Sequence, residues 1–285
     1  MIMRKLHYYI SLIKWPQTAL LLLTGLTGYI SSGIPLNSFK PFLNLMGSLI
    51  LTISGCTILN MVYDRDIDSL MQRTCSRPLP AGCISIREAL LVGLTLSLIG
   101  QIWAFSVSAL FGWVVFCGFF IDVIIYTVWL KRRTPWSIVW GGLSGGMPIL
   151  AGRVLGTGLI DLPGFILSLS VLLWIPAHIM TFNIKFSKDY IRAGIPTFPS
   201  NYGFRTTRFT IALSSIGVAV AVGTGISVLN LDQSVLLLML VLSAVLIGLA
   251  VFSLVRPSEQ MNFFLFKTAT LYMLSAMILI IIGVI

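Results

Sequence analysis

Nine stretches of the chain stay apolar for close to the length of a membrane crossing: 16–32, 42–60, 86–107, 109–130, 136–157, 163–184, 207–229, 233–254 and 263–285. A helix needs about 20 residues to cross a hydrocarbon layer of about 30 Å. The polar positions fall between these stretches, in short loops. The pattern predicts an all-α integral membrane protein: a bundle of about nine transmembrane helices around a central cavity, as one domain over residues 1–285. Within 86–130 only SVSALFG at 106–112 divides two helices. Arg4, Lys5 and Lys14 precede the first stretch in the manner of a signal peptide, but no A-x-A-like site follows, so it is read as a retained helix.

Composition agrees with the pattern. At 57% hydrophobic and 10% charged, with mean hydropathy +0.97, the chain has too few charges for the surface of a soluble domain. Cys56, Cys75, Cys83 and Cys117 form no C-x-x-C pair, and they read as packing residues rather than as metal ligands or a disulfide framework.

The net charge of +10 would suit nucleic acid, but its distribution points to a bilayer. Of 19 Lys and Arg residues, all but Lys40 and Arg153 lie before the first helix or in the loops on that same side. This bias places the N-terminus and the even-to-odd loops in the cytoplasm, in a prokaryotic plasma membrane or its mitochondrial equivalent, and the C-terminus outside. No nucleic-acid partner is expected.

Acid is scarcer still, yet three of the 9 acidic residues crowd into NMVYDRDIDSLMQRTCSRPLPAG at 60–82. Asn60, Asp64 and Asp68 recur every four residues and share one face of a helix continuing out of the second span. Three oxygen-bearing side chains without imidazole or thiolate suit a hard cation such as Mg²⁺, which shares its coordination with substrate phosphates. Arg73 and Arg77 follow, a residue type that grips phosphate in a bidentate manner. The alternative is a solvated loop whose charges pair among themselves. The ligand spacing and the following R-x-x-x-R-P favour a metal-bound diphosphate at the cytoplasmic edge.

N-x-x-x-D-x-x-x-D followed by M-x-R-T-x-x-R-P-L resembles the first aspartate motif of the intramembrane prenyltransferase superfamily typified by 4-hydroxybenzoate polyprenyltransferase, and more narrowly its protoheme IX farnesyltransferase (heme O synthase) branch. YTVWLKRRTPWSIVWGGLSGG at 126–146 and WIPAHIMTFNIKFSKDYIRAGIPTFP at 174–199 extend the likeness over nearly the whole chain. The resemblance implies Mg²⁺-dependent transfer of a farnesyl group from farnesyl diphosphate to a vinyl group of heme b, with water then adding, to give heme O and pyrophosphate. It implies that Asp64, Asp68, Lys131 and Asp189 serve catalysis and that Arg73, Arg77, Lys131, Lys185 and Lys188 meet the diphosphate. Where most of the superfamily has a second D-x-x-x-D, this chain has Asp189 alone, which puts a symmetric two-metal site in doubt and leaves Asp189 as a further metal ligand beside Asn60, Asp64 and Asp68, directly or through water.

His178, inside the sixth span, is a functional residue by default and is assigned to the heme. The branch commonly reads P-P-H-F-W there, whereas this chain has Ala177, Ile179 and Met180. GGLSGG at 141–146 reads as a close helix contact, and Lys14 and Asn60 as neighbours on one cavity. Asp66 is expected to brace its loop through Arg65 or Arg73. For Asp122 and Arg153 the readings are a mutual pair or, for Arg153, a heme propionate contact, and no role is assigned to either. The rival readings are a prenyltransferase acting on an aromatic, quinone-precursor or lipid acceptor, and a transporter. Oxidase-assembly partners are left open.

Overall fold

The computed structural model describes residues 2–34 and 39–284, with side chains from His7 onward. Among these residues there is no strand. Eight helices are long and apolar enough to cross a membrane: α3 (Phe39–Tyr63), α5 (Ile86–Val107), α6 with its continuation (Ala109–Leu130), α7 (Ser137–Thr157), α8 (Leu162–Lys185), α10 (Phe198–Val228), α11 (Gln233–Val255) and α12 (Glu259–Val284). The remaining expected span is α2, Trp15–Ile30, whose 16 residues reach about 24 Å. Three short helices complete the chain: α1 (Ile2–Leu12), and α4 (Arg65–Leu70) and α9 (Ser187–Arg192), which follow α3 and α8 in the two motif loops.

Local chemistry sets the boundaries. Ser108 alone divides α5 from α6, and its hydroxyl accepts the Phe111 N–H at 3.2 Å. A reciprocal Ser85–Glu88 pair opens α5, and Thr197–Ser200 does the same for α10. Gly203, at φ 78°, bends α10 just inside its start, in a conformation that L side chains rarely adopt.

The helices close a ring. α2 packs on α3, α7 and α12; α3 on α5; α7 on α6 and α8; α8 on α10 and α12. The α2–α7 contact is backbone against backbone. A Cβ on Gly28 would strike the Ile149 carbonyl, and one on Gly152 the Gly25 carbonyl. Within GGLSGG, Gly142 and Gly146 face the Leu172 and Ser168 carbonyls of α8, where a Cβ would stand at 3.0 and 2.7 Å. Small residues give close approach where lipid removes any hydrophobic drive between helices.

Candidate active site

α3 ends at Tyr63 and bends at Asp64, yet the Asp64 N–H still donates to Asn60 O (2.9 Å) and Asp68 N–H to Asp64 O (2.8 Å). The helical register therefore survives the bend, and Asn60, Asp64 and Asp68 line one chamber. Both carboxylates are buried, at 3% and 5% exposure. Each is neutralised by a chamber cation: Asp64 Oδ2 by Lys131 Nζ, and Asp68 Oδ2 by Arg77 Nη1 at 2.7 Å. Asp64 Oδ1 is buried without a hydrogen-bond partner. An orphaned carboxylate oxygen beside a second carboxylate and an amide fits a hard cation. Among the described residues, however, no three His, Cys, Asp or Glu groups converge as a complete ligand set.

Lys131, just after the continuation of α6, owes its place in the chamber to a wide turn. Ile121–Leu130 is a π-helix, in which the Lys131 N–H reaches back five residues to Tyr126 O at 2.8 Å. In an α-helix nine residues make two and a half turns, and Asp122 and Lys131 would point in opposite directions. The i→i+5 helix takes roughly nine residues for two turns. Asp122, Tyr126 and Lys131 accordingly all line the chamber. Thr127, between them, donates to Asp122 O (2.8 Å) and accepts Asn60 Nδ2 (2.9 Å), fixing the amide's orientation. Burial works against the charge on Lys131, but Tyr126 and Asp64 outweigh it and hold the ammonium above the ordinary lysine value.

Lys14 enters from the joint between α1 and α2. Its backbone is left-handed, φ 52°, with the Thr18 hydroxyl donating to the preceding Ile13 carbonyl at 2.7 Å. Burial, reinforced by Arg77 and Lys131, lowers its pKa to about 8.

The two motif loops meet over the chamber. Ile67 and Met71 pack against Ala193, Ile195 and Tyr190. Arg73 lines the chamber with its guanidinium 4.7 Å from the Phe182 ring centroid, while its backbone N–H donates to Asp189 Oδ2 at 3.4 Å. Asp189 is buried behind that loop rather than on the chamber wall, and Lys185 and Lys188 are exposed. Lys185 lies over Phe263 at 4.4 Å. Loop 6–7, the motif loop between the sixth and seventh spans (α8 and α10), thus brings a carboxylate to the site's frame, and its two lysines stand outside the chamber.

His178 lines the opposite wall, stacked between Trp174 and Phe266 at 4.7 and 4.4 Å. Its Nδ1 is 3.1 Å from Thr270 Oγ1, whose proton is directed at Phe266 O, 2.9 Å away. That assignment makes Nδ1 the donor and leaves Nε2 as an acceptor. Sequence reasoning missed the aromatic clamp because Phe266 comes from α12, a helix with no motif.

Three expectations about charge partners are corrected. Asp66 is braced by Arg132, which donates twice, at 2.7 and 2.6 Å, and holds the carboxyl below the usual aspartate range; Arg65 and Arg73 do not serve it. Asp122 and Arg153 do not pair. Arg153 instead meets Asp161 at 2.8 Å and Ser31 near the far ends of α2 and α7, away from the chamber and from any propionate in it. Both partners of Arg153 are loop or helix-end residues that carry no motif signal.

The cavity at the chamber's centre is about 330 Å³. A larger cleft, about 590 Å³, lies outside α4 between Arg65, Asp66 and Arg132. The smaller one holds the buried carboxylates, their cations and the histidine, and it is where chemistry shielded from water has its groups.

Residues 21–276 match the family model of the UbiA prenyltransferase family. The chain is 40% identical over 270 residues to a protoheme IX farnesyltransferase of Archaeoglobus fulgidus, covering 93% of this chain and 87% of that one. A protoheme IX farnesyltransferase of Pyrobaculum islandicum is 34% identical, with 92% and 94% covered. Among solved structures, a digeranylgeranylglyceryl phosphate synthase superposes with TM-score 0.82 at 20% identity over 99% of both chains. A UbiA homologue from Archaeoglobus fulgidus bound to GPP and Mg²⁺ superposes with TM-score 0.69 at 16% identity, covering 96% and 99%.

Proposed function

Because the chain belongs to the UbiA prenyltransferase family, among the protoheme IX farnesyltransferases, we propose that its chamber transfers the farnesyl group of farnesyl diphosphate to a vinyl group of heme b, giving heme O and pyrophosphate. The observation that carries the reading is the pair of buried carboxylates, each held by a cation that a diphosphate can claim. Asn60, Asp64 and Asp68 would hold Mg²⁺, the orphaned Asp64 Oδ1 being the acceptor already waiting. Bound there, the ion supplies positive charge against the departing pyrophosphate.

The chain's own groups do the rest. Arg77 and Lys131 exchange their carboxylate partners for phosphate oxygens, so the number of buried opposite charges in contact is conserved as substrate enters. Arg73, oriented by Asp189 and Phe182, adds a third cation, and Lys14 a fourth. Together they stabilise charge where it develops. Lys185 and Lys188, exposed at the rim, steer the anion inward. Asp189 alone in loop 6–7 supports one metal position rather than a symmetric pair.

His178, Phe182 and Phe266 give the chamber an aromatic side against which a porphyrin can pack, with Trp174 backing His178 from behind, and His178 Nε2 is the polar atom offered there. The walls exclude water from the allylic cation. The concentration of basic residues on the chamber side supports a cytoplasmic active site and N-terminus, in a prokaryotic plasma membrane, with the C-terminus outside.

Incubation of purified protein with heme b, farnesyl diphosphate and Mg²⁺, followed by mass spectrometry of the pigment, tests the proposal. A farnesylated, hydrated heme that disappears with chelator supports it. Unchanged heme, with the farnesyl group passed instead to a phenolic or lipid acceptor as pyrophosphate is released, overturns the choice of acceptor.

A further inference from the structure

The reaction proposed above has a second half, and it needs a group that Asp64 and Asp68 cannot supply. When the C1–O bond of farnesyl diphosphate breaks, its electron pair leaves with pyrophosphate. The vinyl π electrons form the new C–C bond from the terminal vinyl carbon to C1, leaving a cation on the carbon next to the porphyrin ring. Water must bond to that carbon through oxygen and shed a proton. In a chamber that excludes bulk water, the water has to be held and its proton received by a side chain.

We propose that Asp122 is that side chain: it holds the attacking water and takes its proton, which passes on to the pyrophosphate. Three carboxylates line the chamber. Asp64 and Asp68 are each committed to an ion pair, and Asp122 is in none. Its one side-chain hydrogen bond is a long 3.5 Å contact from Ser144 Oγ, whose proton is already well placed on Gly141 O at 2.9 Å. Asp122 therefore has free acceptor capacity in a membrane-spanning helix, where an unpaired carboxylate is costly and is retained for use.

Its position follows from the π-helix. The wide turns carry Asp122 onto the face of Lys131, two turns deeper from the cytoplasmic end. Its backbone carbonyl is tied through Thr127 to Asn60, the deepest of the three residues assigned to the metal. That tie anchors the Asp122 backbone to Asn60, and its carboxylate lines the same chamber as the proposed diphosphate site. Lys14 and Lys131 border the same chamber without touching it, so that it is neither paired nor far from balancing charge.

This inference rests on the proposed reaction, and one experiment separates their failures. Wild type, D122N, D122E and D122A are incubated with heme b, farnesyl diphosphate and Mg²⁺ in ¹⁸O-labelled water, and the heme products are resolved by mass. Binding of unreactive farnesyl thiodiphosphate is measured in parallel. Wild type is expected to give hydrated product carrying ¹⁸O; absence of any farnesylated heme there would defeat the underlying reaction itself.

In D122N the cation loses a proton from the adjacent carbon instead, giving an alkene lighter by one water. The hydrated fraction is expected to fall at least about tenfold, consistent with loss of a general base. D122E should restore it in part, and added formate should raise it in D122A, a response that loss of packing would not produce. A wild-type hydrated fraction in D122N, or no response of D122A to formate, overturns the assignment. So does loss of thiodiphosphate binding in D122N, which would place Asp122 in the diphosphate site.

Discussion

At the scale of single residues, the proposed reaction rests on an exchange of partners. Asp64→Asn and Asp68→Asn each remove a proposed metal ligand and strand a partly buried cation, Lys131 or Arg77. Pyrophosphate release should fall by at least about a hundredfold in either variant, on the scale of a lost group acting on transition-state charge. Activity near wild type in both would remove the metal assignment.

Lys14 gives a pH signature. Its pKa is lowered to about 8, so its charge is present below that pH and lost as pH rises through it. KM for farnesyl diphosphate should rise above about pH 8 in wild type, and K14R, whose guanidinium stays charged, should flatten that rise. A profile identical in the two proteins would exclude Lys14 from the diphosphate. The acidic motif and its cations were legible in the sequence because spacing alone places Asn60, Asp64 and Asp68 together. The assignment of Arg132 to Asp66 was not, since nothing local to either residue specifies it.

At the scale of elements, two features decide where side chains point. The π-helix at Ile121–Leu130 has no signature in an apolar run, and reading it with an α period puts Asp122 on the wrong face. The α2–α7 crossing depends on Gly28 and Gly152, which stand apart from the more conspicuous GGLSGG. Gly152→Ala would drive a methyl into the Gly25 carbonyl. Overpacking of this kind costs about 1–3 kcal/mol. A lower thermal midpoint in detergent is therefore expected, and an unchanged midpoint would show that the helices can separate freely.

His178 belongs to this scale as well, because its role rests on the stack between α8 and α12. His178→Phe keeps the stack and removes Nε2. It should weaken heme use while leaving farnesyl thiodiphosphate affinity near wild type. Unchanged heme turnover would take the histidine out of the acceptor site.

At the scale of the molecule, hydropathy made the spans legible, and the charge bias sets an expectation of their sidedness. The way the helices close around a chamber was not legible, because that depends on contacts between segments far apart in sequence, such as Phe266 on His178 and Asp189 on Arg73. Sidedness is open to a direct check. Cys75, exposed in the loop after α4, should react with a membrane-impermeant maleimide in inside-out vesicles and resist it in right-side-out ones. The opposite result would invert the topology.

The central claim is that two carboxylates and the cations now paired with them receive a metal-bound diphosphate, and equilibrium binding of farnesyl thiodiphosphate tests it most directly. Wild type should bind it with Mg²⁺ and lose most of that affinity with chelator, while the D64N/D68N double variant should gain nothing from Mg²⁺. Equal affinity with and without Mg²⁺ in wild type, or a full Mg²⁺ response in the double variant, would contradict the account.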